Sequence, residues 1–371
     1  MHSYFCFEAQ RDLKIKILFA GDINSTHLQK WIKAFYSKFD IAVFSLDPIS
    51  DRCTLDANVL NAIRVVTPAQ KNTDRRAKFT YIFQIKVLRA LHQEFKPDIL
   101  HAHYASSYGF LASRLKASKF YVSVWGSDVF EFPKRSLIHR SVFKHVMKKV
   151  DQVFSTSKIM KDEIHKYVSK DVTVIPFGVD LELFKPEMEK SDKPFVIGTV
   201  KALEHVYGID RLIEVFALFN KVYQDTECHI YGTGSEHKKL EVLADNLGVS
   251  NKIKFFGAIP QDQVPRAIAS MDVFFVLSRA ESFGVAAVEA AACKVPVIAS
   301  NVGGLPEVVA NKETGYLVDG EHTEQIKEVL IDLYNNAEKR HELGEKGRVF
   351  VEERYDWKKN VLEMEKYYIQ K

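Results

Sequence analysis

Short apolar runs alternate with longer amphipathic segments along the first half of the chain. The run Lys14–Gly21 predicts a buried strand, and His27–Phe39, with apolar residues three and four positions apart, predicts a helix. Strands that alternate with helices indicate a parallel, doubly wound sheet. The further strands predicted in this half are Ile41–Ser45, Asp98–Ala102, Phe120–Val124 and Gln152–Ser155.

The segment Val174–Pro186, VIPFGVDLELFKP, interrupts this alternation with Pro176, Gly178 and Pro186, and it is predicted to be a linker. The pattern then resumes, and the runs PFVIGTVKAL, CHIYGTGSE, IKFFGAI, DVFFVLS and VPVIAS predict a second parallel sheet. The fold class is therefore α/β, with two Rossmann-like domains. Ligands of such sheets bind beyond the carboxyl ends of the strands, so we expect the functional site in a cleft between the domains.

Length, composition and charge narrow the classes of protein. A chain of 371 residues, 46% hydrophobic and 27% charged, suits two globular domains. We find no apolar run of the roughly 18 residues that span a bilayer, no secretory signal, and no metal-ligand spacing among the four cysteines. A reducing cytoplasm is expected. The net charge of +4 combines a basic first half with an acidic second half, which indicates surfaces with different partners.

Two glutamates stand eight residues apart in the stretch ESFGVAAVEAAACKVPVIAS. Glu281 is predicted to lie just before a helix of small residues, and Glu289 about two turns into that helix. A helix start can bind a phosphate through its free amides. The amides concerned are those of Phe283, Gly284 and Val285. Glu289 can then accept hydrogen bonds from ribose hydroxyls, and Glu281 can contact a sugar. The alternative is a capping neighbour at 281 and a surface residue at 289.

The longer stretch Ser278–Glu307, SRAESFGVAAVEAAACKVPVIASNVGGLPE, resembles the nucleotide-sugar site of glycosyltransferase family 4, whose members are retaining enzymes of the GT-B fold. Further similar segments are FAGDINSTHLQKW, DILHAHYAS, IPFGVDLELFKP, YGTGSE, FFGAIP and RYDWKKNVLEMEKYY. The resemblance implies an N-terminal acceptor-binding domain of residues 1–180 plus 356–371, because the family's last helix returns to the first domain. Residues 181–355 would form the C-terminal nucleotide-sugar-binding domain. The glycine loops and the base-contacting loop add Gly21, Gly232 and Ala258 to the donor-binding residues.

Two histidines, His101 and His103, stand at the end of a predicted strand. We expect them to face in different directions, with one of them packed in the interior. The resemblance favours His103 as the active-site histidine that contacts the donor sugar. Trp125 and Asp128, in the segment VWGSDVF after the next strand, are candidates for the acceptor side. The alternative for this segment is an ordinary turn.

One position departs from the family pattern. Members of the family place two cations in the loop after the first strand of the second domain, where they neutralise the diphosphate. Lys201 fits the first cation, but the second place reads Glu204, His205, Val206 and Tyr207. Either His205 substitutes, or Lys201 acts with the helix terminus alone, or activity is reduced.

The segment Lys134–Val150, KRSLIHRSVFKHVMKKV, combines basic residues and no acid with apolar residues at helical spacing. Such a helix can lie on an anionic membrane or hold a lipid diphosphate acceptor, and the alternative is a helix with a solvated basic face. Nucleic acid is not expected as a partner, because we find no binding motif with interleaved aromatic residues. The basic residues assigned to this acceptor or membrane side are Lys134, Arg135, Arg140, Lys144 and Lys148.

Together these features predict a retaining glycosyltransferase that moves a sugar from a nucleotide diphosphate sugar, expected to be a UDP-sugar, to a glycan or lipid-linked acceptor. The expected catalytic residues are His103, Lys201 and Glu281. No aspartate-rich metal motif is found, so metal independence and the absence of a cofactor are expected. The implied setting is bacterial surface-polysaccharide or lipid-linked glycan synthesis, in the cytoplasm on the inner face of the membrane. The alternative is a weak or inactive subunit that binds a membrane and a partner transferase.

Overall fold

The computed structural model describes residues 14–68, 81–186 and 194–370. Contacts between residues divide the chain into two compact units. The first unit consists of the described residues up to Phe154, together with Tyr167–Thr173 and the chain from Glu365 onward. The second unit consists of Ser155–Lys166 and the described part of Val174–Met364.

A seven-stranded sheet forms the centre of the first unit. Its strands are β1 (Lys16–Ala20), β2 (Asp40–Phe44), β3 (Arg64–Val66), β4 (Ile99–His103), β5 (Lys119–Ser123), β6 (Gln152–Ser155) and β7 (Val172–Val174). They lie in the order β3-β2-β1-β4-β5-β6-β7, and the neighbours from β3 to β6 pair in parallel. The order reverses between β1 and β4, so these two strands form the topological switch point of the sheet.

The helices of the first unit bury one apolar stripe each. They are α1 (Thr26–Phe35), α2 (Ala57–Ala62), α3 (Ile85–Phe95), α4 (Tyr108–Ala112), α5 (Ser127–Phe130) and α6 (Leu137–Lys149), and a short 3-10 helix (Phe132–Lys134) precedes α6. In α1 the buried apolar residues Leu28, Trp31, Ile32 and Phe35 recur three and four positions apart. The predicted helix His27–Phe39 is thus confirmed, although it ends at Phe35.

A six-stranded sheet forms the centre of the second unit. Its strands are β8 (Phe195–Val200), β9 (Thr226–Tyr231), β10 (Ile253–Gly257), β11 (Val273–Val276), β12 (Val297–Ser300) and β13 (Gly315–Val318). Their order is β10-β9-β8-β11-β12-β13, and every neighbouring pair is parallel. Here the order reverses between β8 and β11, which places the switch point of this sheet between those two strands.

The helices of the second unit are α7 (Lys158–His165), α8 (Ile209–Asn220), α9 (His237–Asn246), α10 (Val264–Ala269), α11 (Val285–Ala292), α12 (Leu305–Val308), α13 (Thr323–Asn335) and α14 (Ala337–Arg354), with short 3-10 helices at His205–Tyr207 and Ser250–Lys252. Helix α8 lies in the main core, where Leu212, Phe216 and Phe219 are buried against strand residues such as Ile197 and Phe275. Burying such side chains is the main stabilising term of the unit.

Helix α15 (Trp357–Ile369) ends the chain and belongs to both units. Its last turn lies in the first unit, where Tyr368 is 2% exposed and packs edge-on against Phe35 and Phe39. This division differs from the predicted one, which assigns all of 356–371 and the linker up to residue 180 to the first domain. The reason is local. The amide of Val179 donates to the carbonyl of Tyr355, and the amide of Trp357 donates to the carbonyl of Val179. These bonds connect the two segments within the second unit.

All the predicted strands are present, and the predicted α/β class with two parallel sheets is confirmed. Three strands were not predicted, namely β3, β7 and β13, and each lies at an edge of its sheet. Edge strands are short and lack the continuous apolar run of a strand covered on both faces.

Candidate active site

The predicted donor-binding residues lie at the carboxyl edge of the six-stranded sheet. Lys201 follows β8, Gly232 follows β9 and Ala258 follows β10, while Glu281 lies in the loop after β11. Since β8 and β11 flank the switch point, the loops that carry Lys201 and Glu281 meet there. Parallel α/β sheets bind their ligands at this point.

Lys201 and Glu281 form an ion pair at the switch point. Nζ of Lys201 lies 2.7 Å from Oε2 of Glu281, and Ser278 Oγ donates a 3.3 Å hydrogen bond to the same oxygen. The two side chains are only 15% and 11% exposed. Removing two charges from water costs free energy unless each charge is compensated. Here the ammonium and the carboxylate compensate each other.

Two glycines shape the loop that carries Glu281. The amide of Gly304 donates to the carbonyl of Glu281 at 2.9 Å. Gly303 has a φ of 55°, and a Cβ at this position would lie 1.8 Å from the same carbonyl oxygen. Any side chain at 303 would therefore displace the backbone of Glu281. Glu307, at the end of the family-like stretch, instead caps α7 by accepting the amides of Lys158 and Ile159.

Helix α11 begins after Gly284, whose φ of 105° is accessible to glycine. The amides of Ala287 and Val288 donate to the carbonyl of Gly284, whereas the amides of Gly284 and Val285 precede the first such bond and have no acceptor within the helix. The side chain of Phe283 is 2% exposed and packs against Phe177 and Tyr355. Of the predicted donor-binding residues here, Phe283 can therefore offer a ligand its backbone amide, as can Gly284 and Val285.

Glu289 lies half-buried on the second turn of α11, as predicted. Nε2 of Gln261 donates a 3.3 Å hydrogen bond to its Oε1. Gln261 follows Ala258 by three residues, so this bond connects the predicted base-contacting loop to the predicted ribose ligand. Gln261 was not predicted, because an exposed loop glutamine has no distinguishing sequence pattern.

The loop after β9 approaches the lysine loop closely. Gly232 has a φ of 135°, and a Cβ there would lie 1.9 Å from the carbonyl oxygen of Lys201. Beside it, the rings of Tyr231 and Phe256 stack with centroids 4.3 Å apart, and Phe256 is 45% exposed. Ala258 is exposed just beyond Phe256. These loops leave an open surface of backbone and aromatic ring next to the switch point.

At the place of the expected second cation, Tyr207 is the residue that contacts Lys201. Nζ of Lys201 lies 4.4 Å from the centre of the Tyr207 ring. The side chain of His205 is exposed, and its carbonyl oxygen accepts a 2.8 Å hydrogen bond from Nη1 of Arg279. Sequence reasoning considered charge at this place and so missed the contribution of an aromatic ring.

In the first unit, His103 ends β4 at the switch point, and Gly21 follows β1 on its other side. His103 is 1% exposed, and neither ring nitrogen has a hydrogen-bond partner among the described residues. Burial, and to a smaller extent the nearby His27, lower the pKa of His103 to about 3. The imidazole is thus neutral near pH 7 and keeps both nitrogens free for a ligand. A Cβ at Gly21 would lie 2.9 Å from Cδ2 of Leu28 and 3.1 Å from Cβ of His103, so this position has little room for a side chain.

His101 has the opposite environment, although it is equally buried. Its Nδ1 lies 2.7 Å from the hydroxyl of Tyr368 and its Nε2 lies 2.9 Å from Oγ of Ser123. Burial lowers its pKa well below the usual value. The expectation that the two histidines face in different directions is wrong: their rings stack 4.4 Å apart, since residues two apart in a strand share a face. His101 is thus hydrogen-bonded in the interior, and His103 is the histidine whose ring nitrogens have no partner among the described residues.

Trp125 and Asp128 follow β5, but they have different roles. The Trp125 ring is half-exposed and lies 5.2 Å from the His103 ring and 5.5 Å from the His27 ring. Asp128 is fully buried, and its carboxylate accepts hydrogen bonds from the amides of Ala105, Trp125 and Gly126. Burial raises the pKa of Asp128, and these amides oppose that rise. Asp128 thus holds together the loops that carry His103 and Trp125.

The predicted basic segment forms α6 and the turn before it. Its buried residues are Phe143, Val146 and Met147, which face the core. Leu137 and Ile138, at the start of the helix, are 78% and 75% exposed. Around them the basic side chains of Lys134, Arg135 and Arg140 are exposed, while Lys144 is half-buried and Lys148 is exposed further along the helix. An exposed apolar pair bordered by cations is typical of a membrane-contacting helix end.

The described parts of the chain contain no candidate metal cluster and no candidate transmembrane helix. No three His, Cys, Asp or Glu side chains in them form a group that could hold a metal ion. None of the helices in them has both the length and the apolar character needed to cross a bilayer.

The sequence matches two families of known proteins. The family described as glycosyl transferases group 1 matches residues 180–350, and glycosyl transferase 4-like matches residues 16–157. An uncharacterized glycosyltransferase of Methanocaldococcus jannaschii is 31% identical over 276 residues, which cover 73% of this chain and 75% of that protein. The N-acetyl-alpha-D-glucosaminyl L-malate synthase of Bacillus anthracis is 30% identical over 285 residues, which cover 73% and 74%.

A solved structure shares the fold. HepE of Anabaena, crystallised in complex with UDP, superposes with a TM-score of 0.77 over 95% of this chain and 99% of HepE, at 18% identity. The two parallel-sheet units therefore define a protein of the GT-B fold, as predicted. With the sequence matches, the chain belongs to the group 1 glycosyltransferases, and the predicted family is confirmed.

Proposed function

We propose that this glycosyltransferase moves a sugar from a UDP-sugar to an acceptor hydroxyl, with retention of the anomeric configuration. The observation that carries the proposal is the shielded pair of Lys201 and Glu281 at the switch point, beside the start of α11. It offers one cation, free helix amides and one carboxylate within a single loop cluster. A diphosphate needs the first two, and a sugar hydroxyl suits the third.

The chemistry follows from where charge develops. When the bond between the sugar and the diphosphate breaks, its electron pair goes to the diphosphate oxygen, which gains negative charge. Lys201 and the amides of Gly284 and Val285 are proposed to stabilise that charge. Donors that are already in place need no reorganisation during the reaction, so this electrostatic contribution is the largest that we assign to the site.

The remaining residues are proposed to orient the donor. Glu281 would accept hydrogen bonds from hydroxyls of the sugar, and Glu289 from those of the ribose, while the loops at Gly232 and Ala258 would contact the base. His103 is proposed to orient the sugar with a neutral imidazole, which can both donate and accept. The UDP bound by HepE, which shares the fold, supports the choice of base.

Lys201 and the helix amides would neutralise the diphosphate without a metal ion, so we propose a metal-independent enzyme with no cofactor. We expect the protein to release UDP slowly from its UDP-sugar even without acceptor, because water can replace the acceptor hydroxyl. The rate should be the same within about twofold with EDTA present. Coupled detection of UDP measures both rates.

Three outcomes separate the possibilities. Release that EDTA abolishes and Mn²⁺ restores would contradict metal independence alone. Binding of UDP without any release, with or without an acceptor extract, would favour the alternative of a binding-only subunit that anchors a partner transferase. This alternative is supported by the single lysine in the β8–α8 loop. A protein that neither binds nor releases UDP would contradict both the transferase and the binding-only subunit.

The first unit is proposed to bind the acceptor, a glycan or lipid-linked molecule, with Trp125 as a contact beside His103. We further propose that α6 holds the protein on an anionic membrane surface. Leu137 and Ile138 would enter the interface, and Lys134, Arg135 and Arg140 would attract the head groups, each by about 1 kcal/mol. We therefore propose that the enzyme works on the inner face of a cell membrane, in surface-polysaccharide or lipid-linked glycan synthesis.

Replacing Leu137 and Ile138 together with serine is expected to weaken binding to anionic vesicles by about 10²-fold, because two large apolar side chains no longer leave water. Sedimentation with phosphatidylglycerol-containing vesicles measures the change. Val222→Ser, at an apolar residue that is 67% exposed in the second unit, is the matched control and should bind as the wild type does. Equal binding by the double variant, or equal binding of the wild type to neutral vesicles, would contradict the membrane proposal.

A further inference from the structure

The lysine of the donor site rests on an aromatic ring. Nζ of Lys201 lies 4.4 Å from the centre of the Tyr207 ring and 2.7 Å from the Glu281 carboxylate. The Tyr207 side chain is half-buried, and its ring packs against the main core of the second unit. The ammonium therefore lies between a negative carboxylate and the negative face of a ring.

The loop that presents Tyr207 is fixed by Arg279. The amide of Arg279 donates to the carbonyl of Val206 at 2.8 Å, and its Nη1 donates to the carbonyl of His205 at 2.8 Å. The guanidinium also forms a bidentate pair with Asp210, at 2.8 and 2.5 Å. These bonds join the Tyr207 loop to the segment that carries Glu281, so the ring and the carboxylate keep a fixed spacing.

The loop is also closely packed at its end. Gly208, directly after Tyr207, has a φ of 65°, and a Cβ there would lie 1.9 Å from the carbonyl oxygen of Leu277. The backbone at 208 thus packs directly on the end of β11. Tyr207 thus lies in a loop that Arg279 hydrogen-bonds and that is closely packed at its end, which suits its ring as a support for a flexible side chain.

We propose that Tyr207 is a positioning residue, which holds the Lys201 ammonium in place for the diphosphate of a bound nucleotide. The inference rests on the proposed function. A free lysine side chain loses conformational entropy when it is fixed in one rotamer. Without the ring, this cost would be incurred when the donor binds and would lower the affinity for it. The aromatic ring thus takes the place of the missing second cation, by orienting the first rather than by adding charge.

The test is a double-mutant cycle on nucleotide affinity. The dissociation constant of the tightest-binding nucleotide among UDP, GDP and ADP is measured by calorimetry for the wild type, Tyr207→Leu, Tyr207→Phe, Lys201→Met and the Lys201→Met/Tyr207→Leu double variant. Tyr207→Leu is expected to weaken binding about tenfold, whereas Tyr207→Phe keeps the ring and should stay within about twofold of the wild type. In the Lys201→Met background, Tyr207→Leu should have no further effect.

The outcomes separate this inference from the proposed function. Wild-type affinity in Tyr207→Leu would overturn the inference, and so would a further tenfold loss in the double variant, because the ring would then act independently of Lys201. A loss in Tyr207→Phe equal to that in Tyr207→Leu would also overturn it, since the hydroxyl would be responsible. Unchanged nucleotide affinity in Lys201→Met would contradict the proposed role of Lys201 as well. Melting temperatures of all variants show whether each one is folded.

Discussion

Replacing Lys201 with methionine is expected to lower kcat for the transfer reaction by about 10²–10³-fold, the loss typical of removing one preorganised charge donor. Methionine keeps the length of the side chain and its contact with the Tyr207 ring but removes the charge. The expected drop in kcat exceeds the rise in KM, because the diphosphate gains charge as the sugar leaves. Steady-state kinetics with the preferred nucleotide sugar measure both.

Lys239→Met is the matched control for this experiment. Lys239 pairs with Glu236 in the same unit, at 2.7 Å, but its side chain is 75% exposed. An exposed pair of this kind contributes little, so activity should stay within about twofold of the wild type. A Lys201→Met enzyme that is folded at the assay temperature and retains more than a tenth of wild-type kcat would contradict the role of Lys201.

Replacing His103 with leucine is expected to move activity and stability in opposite directions. Two buried nitrogens without partners among the described residues destabilise the fold, and leucine removes them. The free energy of unfolding should therefore rise, by about 1–2 kcal/mol. Transfer should fall by about 10²-fold, because the sugar loses a hydrogen bond in a desolvated site. Chemical denaturation and steady-state kinetics on the same preparations measure the two effects.

His101→Leu is the matched control, at an equally buried neighbour. Both of its nitrogens are bonded, so leucine would leave the Tyr368 hydroxyl and Ser123 unpaired in the interior. The free energy of unfolding should fall by about 1–3 kcal/mol. If His103→Leu were destabilised like His101→Leu, His103 would be a packing residue rather than one held open for a ligand.

The pH dependence of stability gives a second readout of His103. Its pKa is about 3 in the folded protein and about 6.5 when unfolded, so the unfolded chain binds more protons between these values. Protonation of the unfolded chain at His103 therefore costs the fold no stability above about pH 6.5 and destabilises it increasingly as the pH falls towards 3. His103→Leu should unfold less readily in acid than the wild type.

The strands were predictable because a strand covered on both faces is a continuous apolar run. DVFFVLS became β11, and VPVIAS became β12. The edge strand β3 begins with Arg64, which is exposed, so it lacked that signal. The division into units also depended on contacts invisible in the sequence, such as the bridge between Val179 and Asp356.

The positions of the site residues were predictable from the rule that loops at the carboxyl ends of parallel strands meet at a switch point. Their contacts were not. Lys201 and Glu281 are 80 residues apart in the chain, and no local pattern indicates that they pair. Asp128 was a candidate for the acceptor side, but its carboxylate points into the interior, where it accepts hydrogen bonds from three backbone amides. The segment around Tyr207 was predicted to lack a second cation, but the aromatic ring of Tyr207, which contacts Lys201, was not predicted to have a role.

The most direct test of the central claim is a calorimetric titration of the purified protein with UDP, GDP and ADP, repeated on Glu289→Ala. UDP is expected to bind selectively. Glu289→Ala is expected to weaken this binding by about 10–10²-fold, because two ribose hydroxyls lose a carboxylate acceptor. Binding of none of the three nucleotides, or equal affinity in Glu289→Ala, would contradict the assignment of this loop cluster as the donor site.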